Sequence, residues 1–192
     1  MNLFRKLANR TTPIDETALR YIWLSLACGF ASAAARELIS AYHGAGAVYA
    51  EEDFSSRTDL SEPLRKRLSE KDLSDAQEIY KACREKGIGI LTYESDLYPS
   101  RLRTLTNPPA VLYYRGRITN LDCEPCVAVV GTRSVSRYGE EVTDWFGYEL
   151  AKSGAFVVSG LAKGADGIAH RAALRAGGNT VAVLGTAIDR VY

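Results

Sequence analysis

The chain has 192 residues, 46% of them hydrophobic and 24% charged, with a formal net charge of +1. That length holds one medium domain and a smaller one, and the near-neutral balance argues against a protein that grips duplex DNA by bulk charge alone. No apolar run approaches a membrane span and MNLFRKLANRTTP lacks a signal-peptide core, so a cytoplasmic protein with no membrane partner is expected.

Thr12-Pro13-Ile14-Asp15 predicts a helix start, with Thr12 as N-cap, Pro13 at the first helical position and Asp15 near the positive end of the dipole. Leu19, Ile22, Trp23 and Leu26 follow at helical spacing. Cys28-Gly29-Phe30 then breaks the helix, and an alanine-rich helix runs to about Tyr42 and closes at Gly44. Between Glu51 and Lys86 the chain is charged and helical, and Ser74-Asp75-Ala76-Gln77 has the spacing of a capping box. The basic run Arg65-Lys66-Arg67 suits a solvated helix face. Helical patterning ends at Lys86-Gly87, which divides the chain into a helical domain over 1–86 and an α/β domain over 87–192.

Strands are predicted at Ile88–Tyr93 and Val111–Tyr114. Tyr98-Pro99 and Asn107-Pro108-Pro109 cannot lie inside a central strand. From Pro99 to Asn120 the chain carries Arg101, Arg103, Arg115 and Arg117 and no acid, which leaves room for a local basic groove. Tyr98, Tyr113 and Tyr114 beside those arginines have stacking faces for bases, with core packing as the alternative. Cys123-Glu124-Pro125-Cys126 lacks two further ligands at zinc-site spacing and precedes a strand, so neither a metal nor a redox role is expected.

The richest stretch is VAVVGTRSVSRYGEEVTDWFGYELAKSGAFVVSGLAKGADGIAH, Val127 to His170. Two apolar runs, Val127–Val130 and Phe156–Val158, each stop near a glycine, open into a polar loop and continue as a helix. Short β-branched runs of this kind suit a parallel sheet buried on both faces. Both loops then lie at the carboxyl edge of the sheet, where open α/β folds bind ligands. The intervening helix places Val142, Trp145, Phe146 and Leu150 on one face and ends at Gly154. The loops supply Gly131, Arg133 and Ser136, then Ser159, Gly160, Lys163 and Gly164. Glycines admit an anion to the backbone, helix N-termini carry partial positive charge, and Arg133 and Lys163 add one full charge each. This predicts a phosphate site, with solvated loop charges as the alternative. It is not a dinucleotide site, because Arg133 stands where G-x-G-x-x-G needs its second glycine. Asp166 is placed to cap the second helix, and His170, one turn on, has no nucleophile partner. No cofactor is implied.

At these residues the chain resembles the DNA-processing protein A (DprA/Smf) family. The resemblance rests on VAVVGTRSVSRYG, VVSGLAKGADGIAHRAAL and NTVAVLGTAIDRVY, with YESDLYPSRLRTLTNPPAVLYYRG upstream, and covers about Ile88 to Tyr192. Ala165 departs from the isoleucine more usual there. The resemblance implies a Rossmann-like parallel sheet, ending here before its second half, behind a small helical SAM- or helix-hairpin-helix-like domain. It also implies a non-catalytic protein that binds single-stranded DNA during natural transformation and recombination, protects it and loads a RecA-type recombinase. Arg133 and Lys163 match the family's loop cations, and a homodimer is implied for full-length members. In the doubly wound order Val127–Val130 is central, so a chain ending at Tyr192 is expected to leave that strand with an open edge and to behave as a fragment. The competing reading is a nucleotide-binding enzyme like the LOG-type phosphoribohydrolases. It needs a ribose carboxylate and a P-G-G-x-G-T loop that these residues lack.

Overall fold

In the computed structural model, residues 14–190 are described. They fall into two units: the chain up to Asp96 with Leu102–Tyr113, and Leu97–Arg101 with the chain from Tyr114.

The first unit is mainly helical, with α1 (Glu16–Cys28), α2 (Ala33–Tyr42), α3 (Ala45–Ala50), α4 (Glu62–Glu70) and α5 (Ser74–Glu85). Asp15, not Thr12, caps α1: its carboxylate accepts from the Ala18 amide at 3.1 Å. Thr12 and Pro13 lie outside the described residues. Gly29, at φ 93°, ends α1, and His43 (φ 59°) with Gly44 ends α2. The expected capping box at Ser74 does not form. Ser74 is already inside α5, and its amide donates to the Asp72 carboxylate at 2.9 Å, so the acid upstream satisfies that donor. Tyr21, Ile22, Leu24, Leu38, Val48, Phe54 and Leu68 are fully buried and make the core. Trp23 meets Tyr49 edge-on with ring centroids 5.1 Å apart.

The strands β1 (Gly89–Thr92) and β2 (Val111–Tyr114) pair with each other, in a sheet that has two strands among the described residues. Their core residues pack with the helices, for Val111 belongs to the same buried cluster as Ile22 and Leu38. The short helix α6 (Ser100–Arg103) lies between them in sequence.

The second unit is a parallel sheet in the order β3-β4-β5, built from β3 (Cys126–Ala128), β4 (Phe156–Ser159) and β5 (Thr180–Ala182). Crossover helices α7 (Arg137–Lys152) and α8 (Ala165–Arg175) join them. This strand–helix–strand–helix–strand array is Rossmann-like, and the fold class is α/β. Register aligns Val127 with Val157 and Ala128 with Val158, and Val158 in turn with Val181. β4 is the middle strand, and among the described residues β3 pairs on one side only.

The helices pack through small residues. Gly147 and Ala151 are the buried positions of α7, whereas Trp145 and Phe146, expected inside, are 58% and 48% exposed. The cause is backbone proximity: a Cβ on Gly147 would sit 3.0 Å from both the Ala169 carbonyl and the Ala172 methyl. A helix that approaches this closely buries its glycine face and turns its bulky face outward.

Candidate nucleic-acid interface

Because β3 and β4 are parallel, the loops leaving them emerge side by side. Val129 continues the ladder, its amide donating to the Val158 carbonyl at 2.9 Å, and the first loop then runs from Val130 to Ser136. The second runs from Gly160 to Gly164.

The loops interlock. Ala165 donates its amide to the Thr132 carbonyl at 3.1 Å. Gly164, at φ 86°, lies so close to the first loop that a Cβ there would stand 2.7 Å from the Arg133 carbonyl oxygen and closer still to that of Thr132. Gly131 faces the Ala165 methyl, 2.6 Å from where its own Cβ would be. Two glycines thus let one loop seat into the other, and Leu161 holds a left-handed φ of 59° between them. On this locked pair Arg133 and Lys163 are both exposed, and neither has an ion pair among the described residues.

The remaining expected site residues divide by role. Ser136 caps α7, its hydroxyl oxygen accepting from the Gly139 amide at 3.2 Å, and stays exposed with its proton available. Ser159 is buried and donates its hydroxyl to the Val129 carbonyl at 2.6 Å, tying β4 to the start of the first loop. Gly160 meets the Asp166 carboxylate rather than open space. Asp166 is not the cap of α8: Gly164 occupies that place, and Asp166 sits in the first turn. Nor is the end of α8 an open anion cradle, because Thr132 and Ala162 carbonyls take the Ala165 and Gly167 amides. The positive potential of the site therefore comes chiefly from Arg133, Lys163 and the α7 terminus.

His170, on α8, is buried. Thr180 donates its only hydroxyl proton to the Val157 carbonyl at 2.7 Å, so His170 Nδ1 donates to Thr180 Oγ1 at 2.6 Å. Nε2 is then unprotonated, with no hydrogen-bond partner among the described residues. Burial depresses the imidazole's pKa against the opposing pull of Asp166 and the Ser159 backbone.

Tyr98 is fully buried and cannot stack on a ligand, and Tyr113 is half-buried, its phenol pushed up to about 12 chiefly by that burial. Cys123 is exposed, and Cys126 donates weakly to the Leu121 carbonyl at 3.4 Å. No three His, Cys, Asp or Glu side chains gather as a metal site among the described residues.

Residues 89–192, more than half of the chain, match the family model of DNA recombination-mediator protein A. The chain belongs to that family. It is 37% identical over 111 residues to DNA processing protein DprA of Bacillus subtilis, covering 58% of this chain and 37% of that protein. It is 44% identical over 101 residues to DNA processing protein DprA of Streptococcus pneumoniae, covering 50% and 34%. The chain thus spans about a third of the length of these DprA relatives. A solved structure of the Streptococcus pneumoniae protein superposes with a TM-score of 0.56 at 27% identity, over 90% of this chain and 60% of the other. The family match begins at residue 89, at the start of β1, and the strands β1 and β2 pack with the helices of the first unit. Among the described residues, no helix is long and apolar enough to cross a membrane.

Proposed function

We propose that this DprA-family chain binds single-stranded DNA, without catalysis, through the loops carrying Gly131, Arg133, Ser136, Gly160, Lys163 and Gly164, and that the held strand is passed to a RecA-type recombinase. The observation that carries the reading is two exposed, unpaired cations on two loops pinned to each other by the Ala165–Thr132 hydrogen bond. Fixed cations contact successive phosphates without first paying to order their own backbones. Family membership supports the transfer step, since its members are described as recombination mediators. His170 is buried and tied to Thr180, closed off from solvent, which supports a binding role over a hydrolytic one.

Fluorescence anisotropy with oligo-dT tests the site. Arg133→Ala and Lys163→Ala are each expected to weaken binding by about 1–3 kcal/mol, the range of a charge-assisted phosphate contact. For the unaltered chain, log K is expected to fall by roughly 0.7 per phosphate contacted for each log unit of salt. Wild-type affinity in both variants, with folding intact, rules the loops out. Stimulation of recombinase filament growth on coated single strands, lost with the same variants, tests the transfer.

A further inference from the structure

Resting on the single-strand site just described, we infer that Tyr138 is the platform on which that site stacks one unpaired base of the bound strand. Tyr138 is 76% exposed and is the second residue of α7, the helix that begins where the first loop ends. Side chains on a helix lean toward its N-terminus, and Tyr138 stands two residues past Ser136, where the loop that bears Arg133 ends, so its ring is within reach of that loop. The loop and the start of the helix that carries the ring are held as one piece. Ser136 caps the helix through the Gly139 amide, and Val135 folds so tightly onto Gly139 that a Cβ there would stand 2.7 Å from the Val135 Cγ1. On the other flank Arg137, with a side chain 93% exposed, pairs only with Glu141 on its own helix.

The alternatives on the same unit fit less well. Trp145 is exposed, but it lies seven residues further along α7, about 10 Å down the axis at 1.5 Å per residue. An exposed ring beside fixed cations is the combination that single-strand sites use, because every base has a π-face and no sequence is read. Such a ring also discriminates against duplex DNA, whose bases are already stacked and paired. Phosphates on Arg133 and Lys163 and a base on Tyr138 together make the site select the single strand.

Oligo-dT carrying 2-aminopurine at successive positions tests this, since that base loses fluorescence when it stacks. The unaltered chain is expected to quench it at one register. Tyr138→Ala should abolish the quench and weaken binding about tenfold, whereas Tyr138→Phe should retain both. An abasic strand should bind the unaltered chain and Tyr138→Ala equally. The exposed position makes misfolding an unlooked-for outcome, and the Phe variant controls for it. If Tyr138→Ala keeps the quench and the affinity while Arg133→Ala loses binding, the platform is overturned and the phosphate site stands. If Arg133→Ala and Lys163→Ala bind normally, the phosphate site itself falls, and Tyr138 stands or falls on the quench alone.

Discussion

Glycine at three points of the two loops answers to three different neighbours, and the consequences of replacing it differ accordingly. Gly164 combines a positive φ of 86° with the rigid backbone of Thr132 and Arg133, so a methyl group there meets both conformational strain and atoms that cannot move aside. Gly160 has no positive φ, and its near neighbour is the Asp166 carboxylate at 2.9 Å, the far end of a side chain that can rotate. Gly164→Ala is therefore expected to cost about 1–3 kcal/mol of stability and to weaken oligo-dT binding by separating the loops. Gly160→Ala should cost clearly less on both counts. Urea unfolding and anisotropy on the two variants check the order, and equal effects would mean that the loops are not locked through Gly164. The glycines were legible in the sequence as sites of close approach, but the approaching partner was not. A composition of Gly, Ser and Lys suits a ligand and a neighbouring loop equally, and only pairing across the sheet edge distinguishes them. Ser159 shows the same ambiguity: a hydroxyl after a strand reads as a ligand donor, yet its proton is spent on Val129.

At the scale of elements, periodicity located α7 and α8 and the strands before them, because glycine stops, β-branched runs and helical spacing all agree there. It placed only part of the inward side of α7, where Leu150 packs against the core but Trp145 and Phe146 do not. Apolar spacing favours Trp145 and Phe146, but hydrophobicity does not measure how near two helix axes can come, and Gly147 allows the nearest approach. Arg175 adds a bidentate clamp from α8 to Asp144 at 2.8 and 2.7 Å, which holds that carboxyl below the usual carboxylate range. The clamp is exposed and contributes little to stability, so the crossing rests on its small residues. Gly147→Leu is expected to destabilise the second unit by about 1–3 kcal/mol or more through overpacking against Ala169 and Ala172. Trp145→Ala should fall within about 0.5 kcal/mol of the unaltered chain. Chemical denaturation distinguishes them, and a costly Trp145→Ala with a silent Gly147→Leu would place the buried face where the hydropathy pattern puts it.

Over the whole molecule the two units differ in how much apolar surface they remove from water. The first buries Tyr21, Ile22, Leu24, Leu38, Phe54 and Leu68 in one cluster, while the second is centred on Ala151, Val157, Ala169 and Ala173. At about 25 cal/mol per Å² of apolar surface, three alanines and a valine, even with the buried Phe156 counted beside them, contribute less than that larger set of aliphatic and aromatic side chains. The sheet of the second unit also shows one poorly covered face. Ala128, Val158 and Val181 lie in register across it, and Val130 and Val183, two residues further along the chain and just past the strands, are 78% and 63% exposed. With β3 and β5 each paired on one side among the described residues, the middle strand β4 holds the ladder. Opening should follow that order. Native-state amide exchange is expected to be slowest in α1, intermediate in β4 and fastest in β3 and β5, and urea should melt the second unit before the first. Saturating oligo-dT should narrow the gap, because a ligand held by both loops stabilises the unit that carries them by an amount that grows with the logarithm of its concentration over Kd. Protection in β3 equal to that in α1, a single coincident transition and no response to oligo-dT would together show that the strength of the fold does not lie where its large side chains are buried.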